Sequence, residues 1–247
     1  VVTMPVGHFT AKLTGTGITS EASTTVEYGG SYSFTVTPET GYEITGVYVN
    51  GAVLTADNGT YTVTNVTGPQ VVEVVDKAIP NYTVTYVVNN AQYATQVVAK
   101  GSQIGDTPKS PVVTGYKFEG WYTQDNTGGE GDKILTTTVV NGDMIVYAKL
   151  TAETYTITYS ANAGTDSVTG MPQSGTSKTY GQPEQLSTAT PSREGYTFLG
   201  WSRNQSATEA TYAAGDYFTE EITTVTTLYA VWKATTSSIT LPTGMIR

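Results

Sequence analysis

The sequence predicts a mainly β chain built as a tandem array of three small modules, with little or no helix. Three observations carry this. One pattern occurs three times: Gly41-Tyr42-Glu43-Ile44-Thr45-Gly46-Val47, Gly115-Tyr116-Lys117-Phe118-Glu119-Gly120-Trp121, and Gly195-Tyr196-Thr197-Phe198-Leu199-Gly200-Trp201. Each copy reads Gly-Tyr, any residue, an apolar residue, any residue, Gly, then a large apolar residue. A recurring unit decides the fold before any single element does. Period-two alternation of apolar and polar residues precedes and follows each copy, as on half-buried strands. The composition agrees, with 18 Tyr, many Thr, and 26 Gly to supply turns.

The motif has a mechanical reading. Its first glycine (Gly41, Gly115, Gly195) is suited to the positive φ of a tight turn before a strand. Tyr42, Tyr116 and Tyr196 open that strand. The second glycine (Gly46, Gly120, Gly200) sits inside it and marks a bulge or a close backbone approach. The bulge re-aims Trp121 or Trp201 into the core, where Val47 stands in the first copy. All eleven residues are expected to be structural, because aromatic side chains at strand spacing form core.

In the first segment, residues 1–79, Phe9, Ala11 and Leu13 alternate with Thr10, Lys12 and Thr14. Tyr32, Phe34 and Val36 do the same until Pro38. Asn50-Gly51 and Asn58-Gly59 are hairpin turns, and Val71 to Val75 closes the segment. The second segment, residues 80–152, opens with Tyr82, Val84, Tyr86 and Val88. Asn89-Asn90 turns the chain, Gln92 to Ala99 returns, and Met144 to Leu150 is its last strand. Gly101 to Pro111 is the one place in it for a short helical turn. The third segment, residues 153–235, repeats this order with Tyr155, Ile157 and Tyr159, then Thr179-Tyr180-Gly181 at the place of Ala99-Lys100-Gly101, then Leu228 to Trp232. Insertions fall in loops, as expected of one repeated unit. The junctions, Lys77-Ala78-Ile79-Pro80-Asn81 and Thr151-Ala152-Glu153-Thr154, are too short to be slack tethers. Residues 236–247 form a tail or the first strand of a further module.

Segments two and three resemble the B-repeat, or Listeria–Bacteroides repeat, of bacterial surface proteins such as the internalins. The matching residues are Tyr82-Thr83-Val84-Thr85-Tyr86, Gly115 to Tyr122 and Ile145-Val146-Tyr147-Ala148. In the third segment they are Tyr155-Thr156-Ile157-Thr158-Tyr159, Gly195 to Trp201 and Leu228 to Trp232. Segment one is similar to a divergent relative, departing at Val47. The resemblance implies small β-grasp-like modules strung along a secreted or wall-attached protein, with no enzymatic activity and no cofactor.

The inventory of reactive groups points the same way. Without cysteine there are no disulfides, thiolate metal sites or cysteine nucleophiles. A single histidine, His8, cannot serve three modules as a catalytic base. A net charge of −9 leaves no basic stripe for phosphates, so no nucleic-acid partner is expected. No apolar run has the length of a membrane helix, so this segment is not expected to insert. Asp125, Glu130 and Asp132 share a Gly-rich loop but lack EF-hand spacing, and they are read as a solvated turn. Glu220-Glu221 is read as a solvent-facing loop. Lys149, on the face of Ile145 and Tyr147, is the candidate for a buried lysine of the kind that forms intramolecular crosslinks in wall-anchored domains. Leu241-Pro242-Thr243-Gly244 lacks a residue of the Leu-Pro-x-Thr-Gly sorting motif and is not read as one. The opening Val1-Val2-Thr3-Met4-Pro5 reads as the start of a fragment or mature piece.

These readings favour a non-enzymatic stalk or spacer of a bacterial cell-surface or cell-wall protein, supporting adhesion. Its partners would be neighbouring modules of a longer protein. The alternatives are an adhesive module that binds a host protein or glycan, and a self-associating filament subunit that uses its terminal strands.

Overall fold

A computed structural model of the chain describes residues 1–14, 23–125 and 131–236. It is all-β: the described residues hold twenty strands in several small sheets and no helix. The chain divides into two units, Val1–Pro108 with Ile134–Val146, and Lys109–Lys133 with Tyr147–Arg247.

The first unit begins with eight strands: β1 (Val2–Thr3), β2 (Phe9–Thr14), β3 (Ser23–Thr24), β4 (Tyr32–Pro38), β5 (Tyr42–Val49), β6 (Ala52–Val53), β7 (Thr60–Val63) and β8 (Gln70–Ala78). One sheet runs β3-β1-β8-β5-β6 and a second runs β2-β4-β7. β1 and β8 are parallel, and the other pairs are antiparallel. The alternation read along β2 is the burial pattern observed: Phe9 and Leu13 are buried, and Thr10, Lys12 and Thr14 are exposed. Phe34, Leu13, Tyr32, Val2, Val47 and Val72 form the core here. Asn50-Gly51 and Asn58-Gly59 both have positive φ at both positions, the conformation of a type I′ hairpin.

β9 (Asn81–Val88) and β10 (Ala91–Ala99) follow, joined by Asn89-Asn90, again with both φ positive. β11 (Tyr116–Tyr122) and β12 (Met144–Ala152) complete a sheet of order β10-β9-β12-β11. In the first unit Val84, Tyr86, Val98, Ile104, Val140 and Val146 are buried. The Tyr86 hydroxyl donates to Gln96 Oε1 at 2.8 Å, and Gln96 Nε2 donates to the Ile104 carbonyl at 2.6 Å. Gly101 to Pro111 contains no helical turn. Pro108 interrupts it, and its backbone is already committed: Gly101 N–H donates to the Val140 carbonyl and Ile104 N–H to that of Thr138. A segment bonded to a neighbour in this way has no groups left for a local helix.

The second unit adds β13 (Thr154–Ser160), β14 (Val168–Thr169), β15 (Thr176–Thr179), β16 (Glu184–Gln185), β17 (Ser192–Arg193), β18 (Tyr196–Ser202), β19 (Tyr217–Phe218) and β20 (Thr226–Ala234). The main sheet has the order β15-β13-β20-β18, with β13 parallel to β20 and its other pairs antiparallel. Trp201 is fully buried among Ile157, Leu186, Phe218, Ile222, Leu228 and Ala230. Its ring meets Tyr159 at 4.8 Å and Phe198 at 5.0 Å. Trp121, its counterpart on β11, meets Phe118 edge-on at 5.2 Å.

We expect Trp201→Ala to destabilise its sheet by about 3–5 kcal/mol, the usual cost of truncating a buried tryptophan. Gly200→Ala is expected to cost more than Gly195→Ala in urea unfolding. Both have positive φ, but a Cβ on Gly195 meets open space, whereas one on Gly200 overlaps the Tyr212 carbonyl. Equal costs at both positions would contradict this.

Candidate functional site

The three motif copies take the same place in three sheets. Gly41, Gly115 and Gly195 have φ of 86°, 76° and 75°. The tyrosine after each opens an antiparallel pairing against an alanine near the end of the closing strand: Tyr42 faces Ala78, Tyr116 faces Ala152 and Tyr196 faces Ala234. The register shifts by one residue between Ile44 and Gly46, Phe118 and Gly120, and Phe198 and Gly200. The residue after each shift, Val47, Trp121 or Trp201, is buried.

Directly after that alanine the chain leaves the sheet, and the leaving residue is held in all three copies. Ile79 N–H donates to the Gly41 carbonyl at 2.8 Å, Glu153 N–H to that of Gly115 at 2.8 Å, and Thr235 N–H to that of Gly195 at 2.9 Å. The first glycine thus serves twice. Its positive φ starts the strand, and its carbonyl anchors the exit.

Two of these exits lead into a next sheet. Between β12 and β13 the linker is the single residue Glu153. Its N–H is bound to Gly115, and its carbonyl accepts from Tyr180 N–H at 2.9 Å. Its carboxylate Oε2 accepts from the Tyr155 hydroxyl at 2.6 Å, which raises the Tyr155 pKa above its ordinary value. Tyr180 then lies against the preceding strand, edge-on to Tyr116 at 5.5 Å. It covers Gly115, which is buried, and a Cβ there would overlap the Tyr180 ring. Between β8 and β9 two residues share the same work: Ile79 binds backward, and the Pro80 carbonyl accepts from Lys100 N–H at 2.9 Å. No ring covers Gly41, and Lys100 is exposed where Tyr180 stands in the other junction.

Each motif tyrosine carries a flat group. His8 stacks on Tyr42 at 4.0 Å with 4° between the planes, and its Nδ1 is 2.9 Å from Asp76 Oδ2. The Arg193 guanidinium lies 3.7 Å over the Tyr196 ring and donates through Nε to Asp166 Oδ2 at 2.9 Å. Tyr116 instead meets the Tyr180 ring edge-on, with 72° between the planes.

The lysine expectation needs correction. Lys149 is only partly buried, with its ammonium 5.3 Å from the centre of the Tyr122 ring, which is itself partly exposed. Among the described residues the fully buried lysine is Lys178 on β15. It donates to the Thr179 carbonyl at 2.9 Å and lies 3.4 Å from Glu221 Oε2. Glu221 also accepts from Gly181 N–H at 2.9 Å, and that bond, followed by the one from Lys178, holds its carboxyl below the ordinary value. Glu220 is held low as well, by the Tyr212 hydroxyl first and by Arg203. The Glu220-Glu221 loop is therefore tied into the fold by specific partners. Asp125 and Asp132 are exposed or partly exposed, and Glu130 lies outside the described residues, as does the tail from 237. No group of three or more His, Asp or Glu side chains is arranged for a metal among the described residues. Nor is any helix among them long and apolar enough to cross a membrane.

The family model of the Listeria-Bacteroides repeat domain matches residues 82–149 and 155–231. The chain belongs to this family. The two matched stretches cover the second and third motif copies and stop short of the junction residue Glu153 on either side. Relatives include a protein of Evansella cellulosilytica named as a Gly-rich membrane protein, 29% identical over 67% of this chain and 18% of its own length. Another from that organism, named as a membrane protein, is 25% identical over 94% of this chain and 34% of its own. Internalin H of Listeria monocytogenes is 27% identical over 73% of this chain and 30% of its own. The chain thus spans about a third or less of the relatives it matches.

Two outcomes are expected. Gly115→Ala and Tyr180→Ala should each destabilise the second unit, yet the double variant should cost less than their sum, because removing the ring removes the clash. A double-mutant cycle in urea reads this coupling, and strict additivity would contradict the contact. Acid should also weaken the third sheet. A carboxyl held low in the fold contributes stability above its ordinary value of 4.5, and that stability is lost as pH falls through the folded value. The melting temperature should drop below pH 4.5, and Glu221→Gln should flatten part of that dependence.

Proposed function

We propose that the chain is a non-enzymatic stalk or spacer of a secreted or wall-attached bacterial surface protein, lying outside the cell and supporting adhesion by parts of the protein beyond it. It comprises three modules, at 1–79, 80–152 and 153–235. Several features support the modular reading. Each main sheet is made of strands from one of these spans. The order β15-β13-β20-β18, with its central pair parallel, supports reading the modules as β-grasp-like. Family membership supports the surface location, as does the Internalin H relative.

One observation carries the spacer reading: the linkers are hydrogen-bonded into the modules on both sides. A residue whose N–H is fixed to one module and whose carbonyl is fixed to the next cannot swivel freely about its φ and ψ without breaking a bond. Loss of each bond costs about 0.5–1.5 kcal/mol, and loss of the aromatic contact about as much again. Such joints transmit position from one module to the next, which a spacer requires and an isolated binding domain does not.

The test is replacement in the parent protein. Unrelated β modules of equal number and length, substituted for residues 80–235, should leave surface display and adhesion intact, whereas flexible Gly/Ser segments of equal residue count should impair adhesion. Loss of adhesion with the rigid replacement would assign recognition to these modules instead.

A further inference from the structure

Sheet edges expose unpaired N–H and C=O groups, and proteins usually blunt them by shortness, charge or cover. Most edges here are treated so. The five-stranded sheet ends in β3 and β6, of two residues each, and β7 and β15 have four. β2 carries Lys12, and β11 carries Lys117 and Glu119. β18 is met at Trp201 by the Tyr212 backbone, through N–H bonds in both directions. β10 differs. It is the edge of its sheet, is nine residues long, and reads Ala-Gln-Tyr-Ala-Thr-Gln-Val-Val-Ala with no charge and no proline. Among the described residues no strand pairs with its outer side. Thr95 and Val97 point outward, with Val97 69% exposed.

We propose that β10 is a self-association edge, pairing antiparallel with β10 of a second copy of this chain to make one continuous sheet across a two-fold axis. The register shift between Gln92 and Ala94 bends the strand at Tyr93 and leaves Ala94–Ala99 as the regular part. With the axis at Gln96, Thr95 of each copy faces Val97 of the other, and Ala94 faces Val98. Every pair then keeps its side of the sheet, and a β-branched pair forms twice on the exposed face. The strand is its own complement, which is the reason to name a second copy as the occupant. Charge sets the direction and the extent. Lys100 follows the strand directly, so antiparallel pairing puts the two lysines at opposite ends and parallel pairing would put them side by side. A net charge of −9 per chain opposes broad contact between copies, which confines association to this neutral strand. This differs from exchange of terminal strands, because β10 lies inside the second module.

Sedimentation equilibrium of the whole chain over a wide concentration range tests it. A reversible dimer that tightens with added salt is expected. Val97→Lys should weaken it about tenfold or more by placing charge at the edge, while Val225→Lys, an equal charge change at another exposed valine, should leave it unchanged. Because the chain has no cysteine, Thr95→Cys carries a lone thiol. A short bis-maleimide should link two copies through Cys at 95 and not through Val225→Cys. A chain that stays monomeric throughout, or a dimer indifferent to Val97→Lys, would overturn the proposal.

Discussion

A glycine that steps one strand out of register is the constraint on which the three main sheets depend. At Gly46, Gly120 and Gly200 the strand gains a residue relative to its partner. Without that step, residue parity would send Trp121 and Trp201 to the other face, since one residue of slip reverses a strand's side chains. Gly120 and Gly200 hold φ of 140° and 136°, a region that side chains rarely enter. The backbone there also runs against neighbours, the Lys133 side chain at Gly120 and the Tyr212 carbonyl at Gly200. Gly46 makes the same step without positive φ, and the residue it turns inward is Val47.

The first glycine of the motif links each sheet to its exit. Its carbonyl fixes the residue that leaves the sheet, so the end of each sheet is built into its own motif. The two junctions solve the next step differently. Glu153 does it alone, with Tyr180 closing over Gly115. Ile79 and Pro80 divide it, and proline's fixed φ takes the place of the covering ring. The third exit, at Thr235, has the same backward bond, and the Thr235 hydroxyl adds a second to the Gly195 carbonyl at 3.0 Å.

Much of the fold was legible in the sequence because its signals are local. Alternation placed β2, β4, β9 and β13, and Asn-Gly and Asn-Asn pairs marked hairpins that have left-handed φ at both positions. The repeat with its two glycines marked the turn and the shift. What was not legible depends on pairs distant in sequence. Tyr180 could be aligned with Lys100, but nothing local says that its ring reaches back to Gly115. Lys178 takes the place of the buried Val98, and repeat alignment alone could have flagged it as an inward lysine. Lys149 looked the better candidate from strand parity. On β12, however, Val146 is the buried residue and Ile145 is 53% exposed, so the face that Lys149 shares with Ile145 is the outer one. The expected helical turn after Gly101 failed because residues 136–140 claim its backbone groups, a contact that no local pattern encodes.

The central claim is that the linker backbone belongs to the sheets it joins. Amide hydrogen exchange, followed residue by residue by NMR, measures this most directly. The account predicts that the N–H groups of Glu153 and Tyr180 exchange as slowly as those inside β12 and β13, and that Ile79 and Lys100 are likewise protected. Exchange at the rate of an open chain at Glu153 and Tyr180, with the flanking strands still protected, would contradict it and leave the sheets loosely tethered.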